Sequence, residues 1–270
     1  PPQHPTGAAR TLPWSEQPEM LGAMQTTGQL QALLRALRLS SLDDEVTATL
    51  CRGLVTIDLG LHRAVALLAE LLLPKCLRLT RAPPRALLAA VLASAEAHPR
   101  AIMEAVLWPL MRRCADPTEE GGAQGDLVAR VVKQCFPVSL QNSFLIRVAH
   151  SSRRHERDAA GAMLAESCLE GSASDEALKW TDQVVGILQA VLTHSKQGVT
   201  QAGVDALVEG IAEATEDAIG VGSLKLAKLM FTLVTMHANK VSAHTDELAR
   251  IAKLGTTFMK KTILAKIEKL

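Results

Sequence analysis

One stretch near the end of the sequence limits the choice of fold more than any other. Wound as a helix at about 100° per residue, Leu224, Leu226, Ala227, Leu229, Met230, Phe231, Leu233, Val234 and Met236 cover most of the circumference, while Lys225, Lys228, Thr232 and Thr235 share one narrow stripe. Such a helix is an inner one, covered by neighbours on nearly all sides. The remaining sequence can provide those neighbours as further helices. Leu and Ala dominate a hydrophobic share of 48%, Tyr is absent, and β-branched residues seldom alternate with polar ones. This composition favours helices packed on helices, and 270 residues suffice to bury a large core without staples.

Taken in order, residues 1–23 hold Pro1, Pro2, Pro5, Pro13 and Pro18 without apolar period, which reads as a disordered tail or linker whose Trp14 either docks on the body or stands in solvent. A helical-repeat domain is expected over 24–270. Leu30, Leu33, Leu34 and Leu37 begin it at helical spacing. Ser41 followed by Asp44 reads as a cap ahead of Val46, Leu50, Leu54 and Ile57. The next helix, from Leu61, is expected to end at Pro74, and Pro83 and Pro84 suit the first turn of another with Leu87, Leu88, Val91 and Leu92 on its apolar face. Pro99 opens a helix in which Pro109 should produce a kink after Trp108. Residues 116–124 form the clearest internal loop. Helical signals resume over 127–136, 139–150, 156–170, 175–194 and 200–214.

His98, His150, His194 and His237 each close an apolar helix ahead of a polar turn, at separations of 52, 44 and 43 residues. Helix-pair repeats of the HEAT and armadillo kinds recur every ~40–47 residues. The expected fold is therefore all-α, a right-handed solenoid of antiparallel helix pairs with HEAT/armadillo-like repeats, with an irregular helical bundle as the alternative.

Charge and motifs narrow the function. The formal charge of +1 gives no global field for nucleic acid or anionic membranes. No segment approaches the ~20 apolar residues of a membrane span. Cys51, Cys76, Cys114, Cys135 and Cys168 are odd in number and widely spaced, which reads as reduced thiols in the cytosol or nucleus. Gly220, Gly222, Ser223 and Lys225 have the wrong spacing for a phosphate loop, and no nucleophile elbow, zinc helix or C-x-x-C pair occurs. Glu119, Glu120, Glu213, Glu216 and Asp217 lack the apolar enclosure that would tune a catalytic carboxylate. No enzyme, cofactor or metal is expected. Arg153, Arg154 and Arg157, beside His150 and His155, form a basic turn suited to contacting a phosphate or an acidic partner. A curved stack of helices offers open surfaces suited to holding other proteins.

The last helix carries the sharpest residue-level expectation. With Thr256 or Thr257 as cap, Met259, Ile263, Ile267 and Leu270 gather on one face, with Leu264 at its edge. Phe258 lies on the opposite side with Thr262, Ala265 and Lys269 near it and Lys261 beside. An exposed aromatic with basic neighbours is a binding anchor; the alternative folds Phe258 back beneath Leu248 and Ile251. Lys260, Lys261, Lys266 and Lys269 also suit the negative end of a helix dipole, and without interleaved aromatics they do not define a nucleic-acid site.

The run from Ser223 through Leu-Lys-Leu-Ala-Lys-Leu-Met-Phe-Thr-Leu-Val-Thr-Met to His237, a polar turn with Ser242 and Thr245, and Thr256-Thr-Phe-Met-Lys-Lys261 resemble the C-terminal domain of the Fanconi anaemia group E protein. The helix order from Met24 onward, including the pair around Trp180, is compatible with it. The resemblance implies a non-catalytic adaptor of the nuclear core complex, a ubiquitin ligase acting on the group D2 protein in DNA interstrand crosslink repair. Its partners would be the group C and group F subunits and the D2 protein, with the D2-contacting surface carried onto Phe258 through the Thr-Thr-Phe motif. The loop over 116–124 and the basic turn over 150–158 depart from the pattern. An unrelated HEAT-like interaction scaffold is the alternative.

Overall fold

A computed structural model describes residues 27–56, 59–118, 121–151, 178–195, 198–216 and 222–270, and every regular element among them is helical. In chain order these are α1 (Thr27–Ala36), α2 (Asp44–Val55), α3 (Leu61–Leu71), the short α4 (Leu73–Leu77) and α5 (Arg85–Ala97). Next comes α6, which runs from Pro99–Ile102 through a π-helical segment at Met103–Leu107 into Trp108–Cys114. Then follow α7 (Gly122–Cys135), α8 (Val138–His150), α9 (Asp182–His194), α10 (Gln201–Glu216), α11 (Leu224–Met236), the single turn α12 (Ala238–Val241), α13 (Thr245–Leu254) and α14 (Lys260–Ile267). The proline-rich segment 1–23 with Trp14, the helix expected over 156–170, Cys168, Ile57 and the arginines of the basic turn lie outside the described residues.

Helices alternate between two rows. One row runs α2, α5, α7, α9, α11, α14, each packed on the one before. In the other, α1 packs on α3 and α3 on α6, while α8 packs on α10 and α10 on α13. Side chains join its two halves: Arg147 of α8 pairs with Glu104 of α6 and lies 4.2 Å above the Trp108 ring. One hydrophobic cluster runs from Ala48 to Ile267 along both rows, and a small satellite of Leu30, Leu34 and Ala66 attaches α1. α11 is the inner helix expected: Leu226, Ala227, Leu229, Met230, Leu233 and Val234 are buried, and Lys225, Lys228 and Thr235 face water. Leu224 is its exception, exposed in the first turn.

Several local expectations change. The cap of α2 is Asp43, whose carboxylate accepts from the Val46 N–H at 2.8 Å, and Asp44 instead pairs with Lys75 at 3.0 Å. α2 buries Thr47, Ala48 and Cys51 and leaves Val46 exposed. Leu37 falls outside α1, ahead of the left-handed Arg38, and is 52% exposed. Pro74 opens α4 rather than ending α3, because a missing N–H costs nothing in a first turn. At Pro109 the helix continues. Its wide π turn, in which the Trp108 N–H reaches back to the Met103 carbonyl, sits directly before the residue that cannot donate.

Buried amides tie the loops to the helices. Gln124 donates to the carbonyls of Leu77, the last residue of α4, and of Leu79 beyond it. Gln141 donates to those of Val132 and Phe136, and Asn142 clasps the approach to α10 by donating to Gly198 at 2.7 Å and accepting from the Thr200 N–H at 2.8 Å. Each satisfies backbone groups that would cost about 1–3 kcal/mol if buried without a partner. Thr181 caps α9 and donates to the Cys114 carbonyl at the end of α6, and Ser223 caps α11 and donates to Asp182 of α9.

Two helical glycines separate the effect of packing from that of backbone freedom. A Cβ on Gly210 of α10 would lie 2.5 Å from Trp180, whereas one on Gly186 of α9 meets nothing within 4 Å. Gly210→Ala is expected to lower stability by about 1–3 kcal/mol through overpacking against a rigid ring, and Gly186→Ala to raise it by about 0.4–1 kcal/mol. Denaturant titration of both variants checks the opposite signs.

Candidate partner-binding surface

The C-terminal unit is assembled around α11. Leu248, Ile251 and Ala252 of α13 are buried, and α14 adds Ile263 at 1% and Ile267 at 6% exposure. Between the two helices the chain turns sharply. Gly255 leaves α13 with its N–H bonded to the Ile251 carbonyl, and the Lys260 N–H bonds to Thr257 at the start of α14. The Lys260 ammonium closes the same turn by donating to the Lys253 carbonyl, occupying one of the acceptors that a helix end leaves open. Behind the turn lies a narrow cleft lined by Ile211, Leu226, Met230, Ile251 and Ile263, with Thr257 and Lys260 at its rim.

Phe258 sits at the apex of this turn and is 82% exposed, more than any other large hydrophobic side chain among the described residues. The packing beneath Leu248 and Ile251 that would have hidden it is absent. Lys261, Thr262 and Ala265 are exposed on α14, Lys269 is exposed just past its end, and Leu254, at the end of α13, is 47% exposed. The structure therefore brings the five residues singled out in the sequence onto one exposed stretch of chain. Arg153, Arg154 and Arg157 lie outside the described residues.

The route to that exposure differs from the helical reading. Neither Thr256 nor Thr257 caps α14 through its side chain, and the cap position is Met259. Phe258 thus precedes the helix, and the turn geometry rather than helical period turns it outward. Met259 and Leu264 are partly buried as expected, but Leu270 falls beyond the last helical turn and is 38% exposed. Leu254 had no signal of its own, since its exposure follows from where α13 ends.

Elsewhere the polar groups have structural surroundings. No three His, Cys, Asp or Glu side chains among the described residues could hold a metal ion, and no helix among them is long and apolar enough to cross a membrane. His244 bonds Asp205 at 2.7 Å, latching α13 to α10, and hydrogen bonds from His244 and Gln201 hold the Asp205 carboxyl below its ordinary range against a desolvation that pushes it up. His237, buried where α11 meets α12, is held below the usual histidine range by desolvation and by Lys240. No protein-family model matches the sequence, and a search of curated proteins returns no match.

Among the described residues, Cys51, Cys76 and Cys114 are buried and Cys135 is half-buried. Burial pushes Cys76 up to about 12, with the Asp44 carboxylate adding to it, and Cys114 up to about 11. Burial thus keeps the Cys76 thiol protonated near neutral pH, and the thiolate is the nucleophilic form. Folded pKa values above that of a free thiol mean that this contribution to stability is complete below pH ~8.5 and is lost as the pH rises through about 11 to 12. Iodoacetamide at pH 8 should leave Cys76 and Cys114 unmodified in the folded chain and alkylate both after unfolding, as read by peptide mass spectrometry.

Proposed function

We propose that this chain is the helical-repeat domain of a non-catalytic adaptor of the Fanconi anaemia core complex, of the kind the group E protein represents. In this reading 24–270 form a HEAT/armadillo-like solenoid of paired helices, working in the nucleus. It joins the group C and group F subunits and presents the group D2 protein to a ubiquitin ligase whose catalytic subunit is a separate polypeptide. The alternation of helices between two rows supports the solenoid, since each pair contacts the pair before and after it.

The observation that carries the proposal is the exposure of Phe258. An aromatic side chain standing in water at the tip of a well-packed unit loses apolar hydration only when a partner covers it. The same residue sits in the Thr-Thr-Phe-Met-Lys-Lys motif on which the resemblance rests. Its position is set by α14, whose Ile263 and Ile267 are locked into the core, so the partner meets a preorganised anchor and less ordering entropy opposes binding.

Phe258→Ala should leave the helical spectrum and melting temperature nearly unchanged, because the side chain makes little contact within the fold. Capture of purified D2 protein should weaken about 30-fold, the loss expected of a hot-spot aromatic worth ~2 kcal/mol. Unchanged capture would remove Phe258 as the D2 site. A pull-down with the intact chain that returns no Fanconi subunits would favour an unrelated helical scaffold.

A further inference from the structure

Charge is unevenly distributed along the chain. Nine of the 29 Lys and Arg but only three of the 28 Asp and Glu lie within 222–270, giving that unit +6 against −5 for the preceding 221 residues, the two adding to the chain's +1. The excess gathers around Phe258. Lys253, Lys261 and Lys269 are exposed, as are Lys225 and Lys228 on the polar stripe of α11.

The placement of two of these lysines opposes the stability of their own helix. Lys260 and Lys261 open α14, whose first turn holds no acid. That end carries the positive pole of the helix dipole, where a cation is disfavoured. The expectation that the lysines of this helix serve its dipole therefore holds only toward its C-terminal end, at Lys266 and Lys269. Lys260 has a structural task, since its ammonium donates to the Lys253 carbonyl. No side chain among the described residues pairs with the Lys261 ammonium. Lys261 and Ala265, four residues apart, share one face of α14, Lys269 is exposed in the turn that follows its last residue, Ile267, Phe258 lies in the turn ahead of it, and Leu254 ends α13 on the other side of that turn.

From this we infer that the surface around Phe258 takes an acidic segment of the partner protein, one in which Asp or Glu residues flank an apolar side chain. The apolar group packs on Phe258 and Leu254, and the carboxylates meet Lys253, Lys261 and Lys269. This rests on the reading of the unit as the D2-contacting site and adds the chemistry that would be recognised there. Such complementary charge steers encounter and selects against neutral or basic segments. Nucleic acid is the competing polyanion. It suits the surface less well, because Ala265 and Thr262 stand between the lysines and Phe258 is the one exposed aromatic within 222–270, with no second ring for bases to stack on.

The test uses the intact chain with purified D2 protein. Binding is measured at about 50 mM and about 300 mM salt, which shortens the screening length roughly from 14 to 6 Å. It is compared among the wild type, Phe258→Ala, Lys261→Glu/Lys269→Glu and Lys261→Gln/Lys269→Gln. The double reversal should weaken binding at low salt by about tenfold or more and flatten its salt dependence, with the Gln pair intermediate. Lys261→Glu places an acid at the favourable end of the α14 dipole and Lys269→Glu places one at the unfavourable end, so the two effects offset and the reversed variant should melt close to the wild type. A carbodiimide, which joins amines to carboxylates in contact, should link Lys253, Lys261 or Lys269 to Asp or Glu within one D2 segment. Binding that depends on Phe258 but is indifferent to salt, charge reversal and carbodiimide overturns this inference and leaves the adaptor reading standing. No complex, or one indifferent to Phe258 as well, overturns both. If a duplex of about 30 base pairs binds and the reversal abolishes that binding while sparing D2, the patch belongs to nucleic acid and the inference fails.

Discussion

A helix apolar on nearly every side cannot stand in water, and this constraint at α11 shapes the C-terminal half of the fold. Six of its side chains are buried, and closing it requires α9 on one flank and α14 on the other. Each fully buried Leu contributes about 1.5–3 kcal/mol relative to exposure, so leaving either flank open would forfeit a large share of a domain's marginal stability. The same demand repeats along the row from α2 to α14, which is why one continuous cluster runs from Ala48 to Ile267. α14 ends that row. Only one of its faces is needed by the core, and the other is free to meet a partner.

Polar groups reinforce the arrangement at its joints. Gln124, Gln141 and Asn142 satisfy loop carbonyls that the packing takes out of water, Thr181 and Ser223 cap one helix while bonding to another, and the Lys75–Asp44 pair fastens α4 to the start of α2. The thiols of Cys76 and Cys114 contribute as small apolar groups, held neutral by burial. The terminal turn is built differently. Lys253 and Lys261 are exposed, Lys260 and Lys261 sit against a helix dipole, and its aromatic is out of the core. Local stability has been traded there for a surface.

Helical period was readable wherever an element had a clear apolar face. The buried set of α11, the lysine stripe beside it and the burial of Ile263 and Ile267 on α14 follow from spacing alone. Errors fell where local rules compete. Ser41 and Asp43 are both good cap types, but the Ser41 hydroxyl turns back to the Arg38 carbonyl while the Asp43 carboxylate accepts from Val46. Pro74 ends a helix or starts one depending on where its neighbours lie, and the π turn before Pro109 has no sequence code that a 3.6-residue period detects. The buried amides were invisible because Gln and Asn read as surface residues until the carbonyls they serve are placed in space. At the terminal unit the exposure of Phe258 was anticipated from helical phase, whereas its cause is the turn from Gly255 to Met259. Leu254 joins the surface for the same reason.

The central claim is that Phe258 stands in solvent on a rigid turn and is covered by the D2 protein. The chain holds four phenylalanines; Phe136 and Phe144 are buried, Phe231 is partly so, and Phe258 is 82% exposed. Incorporating 4-fluorophenylalanine and adding a soluble gadolinium chelate would report them in one ¹⁹F spectrum, with Phe258 assigned by Phe258→Leu. The account predicts that this resonance alone is strongly relaxed in the free chain and is protected when D2 binds. A Phe258 signal relaxed no more than that of Phe144, or one that stays fully relaxed in the complex, would contradict it.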